Sequence, residues 1–445
     1  MKRLFNLETL LAGLLLAALS NAFVLYAAYP AVLFLAVPLF LSLLVGVGLV
    51  RTGLYRLRMR ILRHGAYLLT AFLSALPLTV IYEILLLVRM IREQRVKTAL
   101  FSLLVCTLTL AAAFWVGIIS VYLTSYSLGV KLRAIGIVCG LVPIANLAVL
   151  FIILRTVNTE LLYEKEKDLV NMRRHKDALC QTKYPILLVH GFMFRDLRYF
   201  NYWGRIPAEL VRNGATVYYG EHQSARPIAE SAKELAARIR GIVKETGCEK
   251  VNIIAHSKGG LDCRCALHRD REGVAPLVAS LTTINTPHRG CLFADHLLNV
   301  APDAFQNKVA VTYNTALRCL GDRDPDFLAA AHDLTNEACR VYDEEFIPPD
   351  GVFCQSVGSL VNRAQGGAFP LNYSYHLVER FDGKNDGLVG EESFQFGERY
   401  QLLTVKGDRG ISHGDIIDLN RENIPEFDVR EFYVSLVNDL KKRGF

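Results

Sequence analysis

Ser257 stands in the stretch Ala255-His256-Ser257-Lys258-Gly259-Gly260, directly after an apolar run and directly before a helical pattern. A serine hydroxyl is a poor nucleophile until a base takes its proton and the backbone fixes its position. A sharp strand-to-helix turn supplies the position by lifting the hydroxyl above a sheet, and small residues at 255, 259 and 260 leave room for the crowding such a turn creates. A helix-capping role would account for Ser257 alone, not for the strand before it and the two glycines after it.

The base of such a site follows the nucleophile and the acid in chain order. The chain has 11 histidines, and the one past His376 is His413, in Gly410-Ile411-Ser412-His413-Gly414-Asp415, a glycine-flanked loop after the apolar run 400–405. His190, His256 and His288 have plainer readings, beside a turn, beside the nucleophile and after a Thr-Pro pair. For the acid, Asp382 and Asp386 of FDGKNDGLVG both have suitable spacing after the apolar run 351–357. Asp386 is preferred, because Gly387-Leu388-Val389 would bury its carboxylate at the sheet edge, where it can orient an imidazole and stabilise its protonated form. Asp382 reads as a surface turn residue. Acyl transfer also needs donors for the oxyanion, each contributing about 3 kcal/mol. The backbone N–H of Lys258 and that of Phe192, in His190-Gly191-Phe192, are the candidates.

The elements that must carry these residues alternate. Short continuous apolar runs at 185–189, 216–219, 250–255 and 277–284 suit strands buried on both faces, and 229–243 has helical spacing. The expectation is an α/β fold, a mostly parallel sheet with helices on both faces. In order, YPILLVHGF, AHSKGG, NTPHRG, NDGLV and SHGD resemble the bacterial triacylglycerol lipase and esterase family of the α/β-hydrolase superfamily, over about residues 184–415. That resemblance implies the same triad, Ser257, Asp386 and His413. It also implies that no cofactor is needed, with one exception to examine: some related lipases hold a structural calcium through the aspartate two residues after the histidine, here Asp415. The second acidic ligand of that site has no clear counterpart, and Gly366-Gly367 lies where it would be sought. Residues 291–350 form a long insertion with helical patches, expected to act as a lid over an acyl pocket.

Apolar residues make up 52% of the chain and crowd its first third. Runs at 10–28, 31–50, 98–124 and 135–154 are each long enough for a membrane span of about 20 residues. The run 66–88 carries Pro77 and Glu83 between two basic clusters and reads as either a span or a re-entrant segment. Four or five spans over 1–155, a juxtamembrane helix over 156–180 and a catalytic region over 181–445 are therefore expected. The net charge of +7 derives largely from those clusters, Arg51, Arg56, Arg58, Arg60 and Arg63, and Arg89, Arg92, Arg95 and Lys97. They read as orientation signals that favour a bacterial cell-membrane protein with a cytoplasmic enzyme. No basic, aromatic-interleaved face suggests nucleic acid as a partner. The ten cysteines match neither a disulfide scaffold nor a zinc site. The function expected is hydrolysis of carboxylic esters, lipids among them, at a membrane. An acyltransferase using the same triad with another acceptor stays open, and a non-catalytic scaffold is the third reading.

Overall fold

The structure is a computed structural model that describes residues 6–46, 56–140, 142, 144–192 and 201–445. Lys2 and Arg3, the end of the second apolar run at Val50, Arg51 of the first basic cluster, and Leu141 and Pro143 within the run 135–154 lie outside these residues. The chain divides into two compact units, Met1–Arg173 and Arg174–Phe445.

Among the described residues three helices are long and apolar enough to cross a membrane, Leu57–Arg92, Val96–Thr124 and the stretch Ala145–Asp177, which begins in the first unit. Leu57–Arg92 is one continuous helix of 36 residues, Pro77 included, so 66–88 is no re-entrant loop. It packs against Val96–Thr124, and the Glu83 carboxylate accepts from Ser102 Oγ at 2.7 Å between them. Their outer faces are apolar, with Ile84, Leu85, Leu104, Leu108 and Trp115 all exposed. The earlier runs differ from expectation. The first breaks after Leu7–Ser20, 14 residues, where Asn21 folds its amide back onto the Ala17 carbonyl at 2.6 Å. The second holds a 13-residue helix, Leu33–Val45. At 1.5 Å per residue each reaches only about 20 Å, short of a ~30 Å hydrocarbon core. The run 135–154 is likewise not one helix: Gly129–Cys139 ends, Ile144 takes a left-handed φ of 68°, and a new helix runs Ala145–Arg174. That helix continues through residue 155 without a break, so the juxtamembrane segment is its extension rather than a separate element.

Glu160 ties the first unit together. Its carboxylate, 1% exposed, accepts from Arg58 Nη1 (2.8 Å), Ser125 Oγ (2.6 Å) and the amides of Tyr126 (3.1 Å) and Ser127 (3.2 Å). Arg58 also donates to the Thr124 carbonyl. The start of one long helix, the end of the next and the middle of the third therefore meet at one level.

The second unit is built on a six-stranded parallel sheet ordered β2-β1-β3-β4-β5-β6, with β1 Ile186–Val189, β2 Val217–Tyr219, β3 Val251–His256, β4 Val278–Ile284, β5 Phe353–Ser359 and β6 Arg399–Leu403. The inner strands β1, β3 and β4 are buried at every position, whereas the edges β2 and β6 are not. Alternation along the strands divides two cores. Ile186, Leu188 and Ile254 pack on one face against Trp203, Leu210, Tyr433 and Val437, and Leu187, Val189 and Ile253 on the other against Leu235, Ile239 and Leu267. The helix Ile228–Thr246 covers the second face; its 235, 239 and 242 positions lie on one stripe. Helices on both faces of a parallel sheet make this the α/β-hydrolase architecture that the sequence leads one to expect. Strand order reverses between β1 and β3, the kind of switch point at whose carboxyl ends open α/β sheets bind ligands. All ten cysteines, each among the described residues, are free thiols.

Removing the Glu160 carboxylate would leave the Arg58 guanidinium in a partly buried site without its anion. Glu160→Ala is expected to destabilise the detergent-solubilised protein by about 3 kcal/mol, the lower end of the range for breaking a buried ion pair. Chemical denaturation followed by Trp115 fluorescence in a Trp203→Phe background measures it, and an unchanged midpoint would remove Glu160 as the tie of the unit.

Candidate active site

Ser257 follows the carboxyl end of β3, beside that of β1. The β3 ladder persists to the serine, whose amide donates to the Ile284 carbonyl at 2.9 Å, and the helix Lys258–Arg269 begins at the next residue. The turn between forces Ser257 to φ 54°, ψ −132°, a sparsely populated conformation for a residue with a side chain. Strain of this kind persists only where surroundings over-determine it, and it clusters at functional sites. Here the surroundings are close: a Cβ at Gly191 would lie 2.8 Å from that of Ser257, and one at Gly259 would strike the His190 carbonyl oxygen. The turn after β1 thus rests against the nucleophile candidate. The sequence-predicted glycine positions are required by packing.

Asp386 and His413 are brought together. His413 Nδ1 and Asp386 Oδ2 are 2.6 Å apart, and the His413 amide donates to the Asp386 carbonyl at 2.9 Å. Asp386, with no exposure, accepts further from the amides of Leu388 (2.9 Å) and Val389 (2.8 Å) and from Asn285 Nδ2 (2.6 Å). The His413 ring lies 4.5 Å, centroid to centroid, from the ring of His256, the residue preceding Ser257. Ser257 and His413 are 6% and 8% exposed, so both keep an edge toward the exterior. The 2.6 Å contact commits Nδ1 to the carboxylate.

Competing histidines are fully enclosed. Burial, reinforced by neighbouring His222, pushes the His190 imidazole down to about 3. His256 and His288 are held well below the usual histidine range by burial, with His413 and Arg264 respectively adding to the effect. His288 is bonded to Thr283 Oγ1 and Arg264 and serves as a structural link. Lys258, the donor candidate after the serine, sends its side chain inward to Asp262 at 2.6 Å. Burial outweighs that attraction and raises the Asp262 carboxyl to about 6. Phe192, the second donor candidate, stacks its ring on Phe327 at 5.2 Å, and Tyr313 stacks on Phe327 at 4.6 Å, forming an aromatic ladder into residues 291–350.

One expectation is corrected, at Asp382, and two residues join the site, Asn285 and Tyr202. Asp382 is not a surface turn residue: its half-buried carboxylate accepts from the amides of Leu292 and Phe293 and caps the helix Leu292–Val300. Asn285 was visible only as part of NTPHRG. Its left-handed φ of 46° aims the amide at Asp386 Oδ2 and Ser359 Oγ (2.7 Å). Tyr202 is also absent from the sequence reading, although its hydroxyl bonds His256 Nδ1 at 2.6 Å and accepts from the Gly191 amide at 3.1 Å. Asp415 accepts from the Ser412 amide and hydroxyl and from Arg409.

No protein-family model matches the chain. A triacylglycerol lipase of Vibrio cholerae is 30% identical over 296 residues, which cover 60% of this chain and 91% of that protein. Another triacylglycerol lipase, from Pseudarthrobacter phenanthrenivorans, is 34% identical over 216 residues, 45% of this chain and 65% of the other. Among solved structures, a Bacillus licheniformis lipase in mature form aligns at a TM-score of 0.43 and 22% identity, over 57% of this chain and 92% of that one. Lipase 1 from Pelosinus fermentans aligns at 0.44 and 18%, over 59% and 99%.

Asn285→Ala would leave Asp386 Oδ2 with a single side-chain donor and free the acid to shift. Loss of one hydrogen bond to a charged group corresponds to about tenfold or more in kcat toward a soluble ester, with little change in KM. Steady-state kinetics on the purified variant give the result, and an unaltered kcat would make the Asn285 contact incidental.

Proposed function

Because the chain belongs to the triacylglycerol lipase family and is a carboxylic-ester hydrolase, we propose that Ser257, His413 and Asp386 form its catalytic triad and that it acts on lipid or other apolar esters at a membrane. The observation that carries the reading is the 2.6 Å His413–Asp386 contact beside the strained Ser257 turn. In this mechanism His413 takes the hydroxyl proton as Ser257 Oγ attacks the ester carbonyl. The negative charge that develops on the carbonyl oxygen is met by the amides of Lys258 and Phe192. His413 then hands its proton to the leaving alcohol, and an acyl group remains on Ser257. A water molecule, deprotonated by the same imidazole, attacks the acyl-enzyme and regenerates the serine. Asp386 stays ionised throughout and stabilises the imidazolium.

Residues 291–350 form a lid in this reading. Their helices carry exposed Leu297, Val300, Phe305 and Val311, and the Phe192–Phe327 stack joins them to the oxyanion loop. The first unit serves as the membrane anchor, supported by its three long apolar helices. The Glu160 cluster sets the third helix beside the start of the first, on the face with Arg56, Arg60 and Arg63. The second basic cluster, Arg89, Arg92, Arg95 and Lys97, lies at the other end of Leu57–Arg92, so the charge bias between the two faces is small, and the chain leaves the anchor on the Arg58 face.

Hydrolysis of p-nitrophenyl esters from acetyl to palmitoyl tests the function. The native protein is expected to be active, with rate rising toward longer chains, and Ser257→Ala to lose at least about a thousandfold in kcat. Activity that survives in Ser257→Ala would overturn the assignment. Adding a competing alcohol and analysing products separates water from another acceptor.

A further inference from the structure

Arg409 lies four residues before His413, and its guanidinium joins three segments. Nη1 donates to the Gly366 carbonyl at 2.7 Å, and Nη2 donates to Asp415 Oδ1 at 3.2 Å and to Glu422 Oε2 at 2.8 Å. Asp415 in turn accepts, on its other oxygen, from the Ser412 amide (3.0 Å) and hydroxyl (2.7 Å), immediately before His413. Backbone bonds fix the same loop: Ile411 donates to the Leu360 carbonyl at 2.7 Å, and Gly410 pairs with Val361. A positive charge therefore sits between a backbone carbonyl and two carboxylates, one bond removed from the histidine loop.

The family raises the question of a calcium ion at Asp415, and the residues present do not fit one. Calcium takes six to eight oxygen ligands. Both Asp415 oxygens and the Gly366 carbonyl are already engaged by hydrogen-bond donors. No carboxylate can stand at 366, because a Cβ there would collide with the Arg409 carbonyl oxygen. A side chain at 367 would press on the Asn372 amide, 3.2 Å from its Cβ. The guanidinium is permanently charged and presents a planar fork of donors, which suits one carbonyl and two carboxylates.

We infer that Arg409 supplies from within the chain the positive charge that a structural calcium would otherwise bring, and so acts as the positioning residue for the His413 loop. This rests on the reading of His413 as the base. The protein needs no metal to hold its histidine, and the cation cannot dissociate in a calcium-poor compartment. Arg409 touches no reacting atom. Its effect passes through Asp415 and Ser412.

The experiment uses the full-length detergent-solubilised protein and calcium alone as the probe. Native enzyme is expected to show the same Tm and kcat in excess chelator and in millimolar calcium; a saturable rise in Tm with calcium would overturn the inference. Arg409→Met keeps the aliphatic stem and removes the charge. With active serine counted by fluorophosphonate titration, its kcat per titrated site should fall about tenfold or more while KM stays within about twofold. Arg409→Lys should recover part of the loss, since it restores the charge without the fork. A merely structural arginine would lower Tm and the titratable fraction and leave kcat per titrated site at the native value, which would also overturn the inference. If Arg409→Met does not fold, Arg409→Lys and the calcium comparison decide. His413→Ala is the control on the underlying reading: if it keeps native activity, the triad assignment has failed, whereas its inactivity beside an unimpaired Arg409→Met refutes this inference alone.

Discussion

The bond between Asp386 and His413 ties the site to the sheet, because the acid is itself fixed by groups from several parts of the chain. Asn285 reaches it from the end of β4, and the amides of Leu388 and Val389 from its own turn. A buried carboxylate without such donors would be costly, and with them it becomes a rigid, acceptor-only anchor. The imidazole bonded to it then inherits the position of the sheet. Arg409 and Asp415 hold the same loop from its other side. The histidine is thus bonded to Asp386 and its preceding residue, Ser412, to Asp415, although the loop that bears them has no regular secondary structure.

The Ser257 side works by a different principle. Among the described residues it is steric crowding that sets the Ser257 conformation. The turns after β1 and β3 press on one another through Gly191 and Gly259, and the serine takes the one conformation that the gap allows. The reversal of strand order brings those two turns together, so the fold and the strained residue follow from one topological fact.

Much of this was legible in the chain because it is local. The elbow, its glycines and the buried strands β1, β3 and β4 are written in runs of a few residues. What escaped notice depends on distant contacts. Asn285 meets Asp386 across 101 positions, and Asp382 caps a helix that starts 90 positions earlier, so no local pattern at Asp382 could distinguish a cap from a surface turn. Tyr202 gives no signal beyond an aromatic residue. In the first third hydropathy located the apolar runs but not their breaks, since the single Asn21 lowers the mean of a long apolar run only slightly and Ile144 does not lower it at all. Conversely, Pro77 looked like a breaker and sits inside an unbroken helix, where its neighbours supply the packing.

The two ends of the catalytic unit meet. Arg174 grips Glu431 of the final helix with two bonds, of 2.6 and 2.8 Å, and the Lys183 amide donates to the Phe445 carbonyl at 2.8 Å just before β1 begins. In a parallel sheet the amino ends of the strands all lie opposite the carboxyl ends, where Ser257 sits. A fluorescent protein or affinity handle fused after Phe445 would therefore leave from the rear of the sheet, beside the point of chain entry and away from the end that bears Ser257. The same adjacency makes the unit topologically a near-closed ring, whose chain could be rejoined by a short linker and cut open elsewhere.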